Sequence, residues 1–113
     1  MKILKFVVLA SALSTSGSAW SYSGNDLMNW LQSYESSQAN WSGGMYLGYI
    51  AGVAEFGQGF MFCAPSNVTQ GQNAAIVAKY LRNNPEEWNR QASGIALRAF
   101  MKAYPPCPEK KKT

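Results

Sequence analysis

Six carboxylates are the only acidic side chains in this 113-residue chain, Asp26, Glu35, Glu55, Glu86, Glu87 and Glu109, and there is no histidine. Losing histidine removes the commonest general base and the commonest metal ligand together. A zinc enzyme, a Ser-His-Asp hydrolase and a Cys-His protease are therefore excluded in their usual forms. Two carboxylates facing each other across a cleft can cleave glycosides, which singles out Glu86-Glu87. Neighbouring residues point about 100° apart on a helix, and a place in a first helical turn accounts for both as residues favouring the positive helix end. Glu55 follows an apolar turn and precedes a loop, so it reads either as an exposed helix-end residue or as a partner contact. Gly57-Gln58-Gly59 lacks the G-K-[ST] that a phosphate loop requires. Asn67-Val68-Thr69 matches the glycosylation triplet, but Thr69 is better explained as a helix cap. The residues predict binding rather than catalysis, with no metal and no cofactor.

The compartment comes from the first twenty residues. Lys2 and Lys5 flank Ile3-Leu4 and Phe6 to Ala10, and small residues then run to Gly17-Ser18-Ala19. This is the layout of a secretory signal peptide over 1–19, cut after Ala19; the apolar stretch falls short of the ~20 residues a membrane span needs. The expected mature chain is a single domain over 20–113 with a short lysine-rich tail. The formal charge of +4 falls to +2 when Lys2 and Lys5 leave, and to −1 without Lys110, Lys111 and Lys112. The remaining cations are scattered, so no basic nucleic-acid face is expected. In an oxidising compartment the two cysteines, Cys63 and Cys107, have one pairing open to them. A reactive thiol is the rival reading, and neither histidine nor a C-x-x-C spacing supports it.

Four helices and no useful strand alternation can be read. The first is expected to start near Asn25-Asp26, with Leu27, Trp30, Leu31 and Tyr34 as a buried stripe. The second runs from about Trp41 to Phe56, with Tyr46, Tyr49, Ile50 and Val53 as its bulky face. Gly44, Gly48 and Gly52 fall on one side of it. Each costs about 1 kcal/mol of helix propensity against alanine, which predicts close approach of a partner helix from this chain or a second subunit. The connection Gly57 to Val68 carries Phe60, Met61 and Phe62, which either fold onto the core or face a partner. Thr69 and Gln72 form a capping-box pattern opening the third helix. Asn84, Pro85 and Glu86-Glu87 predict the start of a fourth, with Trp88, Ala92, Ile95, Ala96, Ala99 and Phe100 on its buried face. Tyr104-Pro105-Pro106 stops it. The fold class expected is all-α, a small bundle of about four helices with one disulfide.

An ordered set of motifs now stands along the chain: Gly48-Tyr49-Ile50-Ala51-Gly52-Val53, Phe62-Cys63-Ala64-Pro65, Val68-Thr69-Gln70-Gly71-Gln72, Tyr80-Leu81 with Pro85, and Pro106-Cys107. This resembles the Tai/Rap family of immunity proteins that pair with amidase effectors of type VI secretion. Pro105-Pro106 departs from the aromatic-proline-cysteine ending frequent in that family. The resemblance implies a periplasmic, helical, disulfide-bridged and often dimeric protein that binds and inhibits a peptidoglycan amidase. An inhibitor of this kind needs a rigid body and a loop that plugs a cleft. The loop candidates are Gln58, Phe60, Met61, Phe62, Pro65 and Asn67, with Glu55 beside them. The competing classes are a small periplasmic stress protein or holdase and an envelope-associated binding module.

Overall fold

The computed structural model describes residues 21–36 and 39–109. The signal peptide, its cleavage point and the lysine tail lie outside the described residues. The described residues form four helices, α1 (Gly24–Glu35), α2 (Trp41–Gly57), α3 (Gln70–Asn83) and α4 (Ala92–Ala103), with one 3-10 turn, Pro85–Glu87, between α3 and α4. Among the described residues there is no strand, only two isolated bridges, Ser23 with Gln91 and Gln58 with Phe62. The all-α bundle with one disulfide agrees with the reading of the sequence.

α1 starts about one turn earlier than its cap signals suggest. Ser23 is the N-cap, and it shares a capping box with Asp26: the Ser23 backbone N–H donates to Asp26 Oδ2 at 2.8 Å, and Asp26 N–H donates back to Ser23 Oγ. Asp26 is thus the third helical residue of the box rather than the cap itself. Gly24 is required here, since a Cβ would lie 2.7 Å from the Trp88 Cα and 2.7 Å from Ile95 Cδ1. The entering chain is bonded across to the start of α4, with Gly24 N donating to Arg90 O and Ala92 N to Tyr22 O. Tyr22 also meets Trp30 and Tyr49, with ring centroids 4.8 and 5.9 Å away.

α3 matches its signals: Thr69 caps, and Gln72 completes the box with bonds of 2.8 and 3.1 Å. The fourth helix does not. Asn84-Pro85-Glu86-Glu87 opens only a single 3-10 turn, and α4 begins at Ala92 after Gln91, which makes no side-chain cap bond. The Asn84 side chain turns back to donate to Tyr80 O instead, closing α3. Trp88 lies outside α4 and donates its indole N–H to Leu81 O at 2.6 Å. Ala92, Ile95, Ala96, Ala99 and Phe100 do form the buried face of α4.

The core gathers Leu27 and Leu31 of α1, Tyr46 and Ile50 of α2, Val77 and Leu81 of α3, and Ile95 and Phe100 of α4, each at most 1% exposed. Trp30, Tyr34, Tyr49 and Val53 pack only partly buried against it. Tyr46 is wholly buried and donates its hydroxyl to Ala74 O at 2.7 Å; burial pushes its ionisation well above the ordinary tyrosine range. Cys63 and Cys107 are joined in a disulfide that closes a sequence separation of 44 residues.

Candidate functional site

The connection between α2 and α3 is held from several directions. Gly57 O, at the end of α2, accepts the N–H of Met61 at 2.9 Å, and Gly59 N–H donates to Phe62 O at 2.9 Å. Gly59 sits at φ +96°, a conformation that glycine adopts without the clash of a Cβ. The Gln58 side chain acts as a short extra strand: its Oε1 accepts Ala64 N–H at 3.1 Å and its Nε2 donates to Ala64 O. Cys63 N–H donates to Pro105 O at 2.9 Å, beside the disulfide that fixes the same two segments. Beneath them the Phe62 ring packs against Phe100 and Tyr104, centroids 5.1 and 5.7 Å away. The Tyr104 hydroxyl donates to Asn73 Oδ1 of α3.

This clamp divides the three apolar residues of the loop. Phe62 is 1% exposed and belongs to the core, Met61 is half-buried, and Phe60 is 64% exposed. Of the three, only Phe60 offers its ring to a partner. It stands against Phe56, itself 66% exposed, with ring centroids 5.6 Å apart. A separate shallow groove of about 280 Å³ lies between the end of α2 and the start of α3, bordered by Glu55, Gln58, Pro65, Val68 and Asn73 and not by either ring. Glu55, Gln58 and Pro65 are thereby brought together, and Asn67 is exposed in the adjoining turn.

Gly44, Gly48 and Gly52 are exposed, and a Cβ at any of them would meet nothing within 4 Å. Among the described residues no helix packs closely on the stripe, so the expected close approach of a partner helix is not met there. Phe56 and Trp41 are exposed residues that sequence patterning does not single out, Trp41 at 80%. Trp41 stands off the Tyr46–Tyr49–Ile50–Val53 face of α2, whereas Phe56 extends the Tyr49–Val53 row past the end of the core.

Glu87, expected from sequence to sit in a first helical turn, is in the 3-10 turn and buried at 8% exposure. It accepts the Tyr80 hydroxyl at 2.6 Å and Arg98 Nε–H at 2.8 Å. Those bonds hold its carboxyl below the usual range, the Tyr80 bond foremost, and burial raises the Tyr80 hydroxyl in turn. Each oxygen of the carboxylate thus receives a structural donor, Oε2 from Tyr80 and Oε1 from Arg98. Among the described residues no group of three His, Cys, Asp or Glu side chains could hold a metal.

The described residues thus form a small helical bundle, stapled by one disulfide and presenting a braced aromatic loop. The family profile of the Rap1a immunity proteins matches residues 23–107, from the Ser23 cap to the second half of the disulfide. The chain belongs to that family. No curated protein and no solved structure matches it.

Proposed function

We propose that this chain is a periplasmic immunity protein that binds and blocks a peptidoglycan-cleaving amidase delivered by type VI secretion, without catalysing any reaction itself. The observation that carries the reading is Phe60, an exposed aromatic on a loop fixed by a disulfide, a glutamine brace and the buried Phe62 ring. A loop already ordered loses little conformational entropy on entering a cleft, and a rigid aromatic is a common anchor of such contacts. Gln58, Pro65 and Asn67 are exposed on the same connection as the anchor. The residues before Trp20 serve as the export leader, which puts the disulfide in an oxidising compartment. A homodimer is part of this reading, since two joined copies present two loops.

The test is to mix the purified protein with candidate cysteine amidases and follow peptidoglycan cleavage. Inhibition at one chain per amidase is expected, and Phe60→Ala should weaken it about 10-fold or more, the scale of an anchor residue. Cleavage undiminished by a molar excess, against every amidase tried, overturns the reading. N-terminal sequencing of protein recovered from the periplasm should begin at Trp20.

A further inference from the structure

A shallow groove of about 260 Å³ lies between α3 and α4. Ile76, Ala99 and Ala103 give it an apolar lining, Lys79 borders it from α3, Lys102 borders it from α4, and Asn83 stands beside them. Both lysines are exposed. Of the five cations among the described residues, Arg82 pairs with Glu35 and Arg98 with Glu87, which leaves Lys79, Arg90 and Lys102 outside any ion pair there. Two of those three, scattered in sequence, meet on this one groove. No carboxylate borders it. Glu87 is linked to it through the Tyr80 hydroxyl, but the charge of Glu87 is matched by Arg98. A helix C-terminus favours a cation, and that accounts for Lys102 in the last turn of α4. It does not account for Lys79, since Arg82 fills that place in α3. The closing carbonyls of α3 are also occupied, Tyr80 O by the Asn84 side chain and Leu81 O by the Trp88 indole.

We propose that this groove docks an acidic segment of a partner protein, an aliphatic side chain lying over Ile76, Ala99 and Ala103 and a carboxylate turned to each lysine. The acidic character follows from the groove alone; that the partner is the amidase rests on the function proposed above. Lysine stems extend an apolar surface while their ammonium groups stay at its rim. The rim therefore offers donors only, apart from the Asn83 carboxamide, whose N–H can serve a carboxylate as well. Position favours the same partner. Asn73, which borders the groove beside the loop, precedes Ile76 by about one turn of α3. Tyr104, next to Ala103, donates its hydroxyl to Asn73. The two grooves thus follow one another along α3, and a protein seated at the loop meets the lysines by continuing down that helix. Exposed ion pairs contribute little affinity each. Their part here is to speed encounter and fix the register of a partner anchored elsewhere.

The groove is tested first with a probe of defined chemistry, a capped peptide alternating leucine and glutamate, titrated into the isotope-labelled protein. Amide resonances of Ile76, Lys79, Asn83, Ala99 and Ala103 should shift, with a Kd of about 1 mM. Replacing both lysines, Lys79→Gln with Lys102→Gln, should weaken binding about 5-fold, and Lys79→Arg with Lys102→Arg should leave it near the wild-type value. A peptide with lysine in place of glutamate should shift none of these resonances. The inference is overturned if the glutamate peptide leaves them unmoved, if the lysine peptide moves them equally, or if the neutral double variant binds like wild type. The second test uses an amidase that this chain inhibits. The neutral double variant should associate about 5-fold more slowly at low salt and at the wild-type rate near 1 M salt, where the screening length is ~3 Å. Equal association rates at low salt overturn the amidase as the occupant of the groove. If no amidase is inhibited while the glutamate peptide still binds here, the proposed function falls and the acid-binding groove stands.

Discussion

Glu87 shows how one side chain can be taken from solvent into the frame of the protein. It holds the Tyr80 hydroxyl and the Arg98 guanidinium together, joining α3, the 3-10 turn and α4. Replacing it with alanine leaves both donors short of a partner, and urea melts should show a loss of about 2 kcal/mol. The pH dependence follows from the direction of its shift. The folded carboxyl ionises below its unfolded counterpart, so its contribution is complete above the ordinary glutamate range and disappears as pH falls through the lower folded value. Acid titration of stability should therefore steepen below about pH 4.3, and Glu87→Gln should flatten that limb. Tyr46 is a simpler case. Tyr46→Phe removes one buried bond to Ala74 O, which retains its own place in the α3 ladder, and about 1 kcal/mol should be lost.

Helices whose signals are local are legible in the amino-acid order alone. Thr69 and Gln72 fix the start of α3 because both halves of the capping box lie within four residues. The same local signals misplace the fourth helix: a cap, a proline and two acids suit a 3-10 turn as well as an α-helix. The choice is made from outside, by Tyr80 and Arg98 drawing Glu87 inward and by Leu81 O engaging Trp88. The loop is half legible for the same reason. Its apolar load is visible, but which ring turns inward depends on Phe100 and Tyr104, some forty residues away in sequence. Glycines separate at this scale too. Gly24→Ala should destabilise, since its Cβ would press on the backbone of Trp88, whereas Gly48→Ala should stabilise the isolated chain by about 1 kcal/mol because nothing lies nearby. Thermal melts of the two variants should move in opposite directions.

For the whole molecule, the disulfide is the largest single constraint. Closing 44 residues should contribute about 4 kcal/mol on the chain-entropy view, so reduction should lower the melting temperature by roughly 15–30 °C. An unchanged melt would show that the bridge does not carry the fold. With no histidine, no side chain of ordinary pKa titrates between about pH 5 and 8, and stability should be level across that range. On the alkaline side the buried Tyr46 and the partly buried Tyr49, Tyr80 and Tyr104 are all held above the ordinary range. Each favours the folded state while neutral, and that preference is lost as pH rises through the raised folded values.

α4 receives both ends of the described chain: Tyr22 and Gly24 are bonded at its entry, and Cys107, just past its exit, is tied to Cys63. Of the four described helices it is the last to leave the ribosome. A nascent chain that stops short of it lacks the backbone bonds that hold the entry to α1 and the second sulfur for the loop, so both closures wait for α4 and Cys107. A late premature stop codon should thus yield a chain that proteases clear rather than a weaker binder.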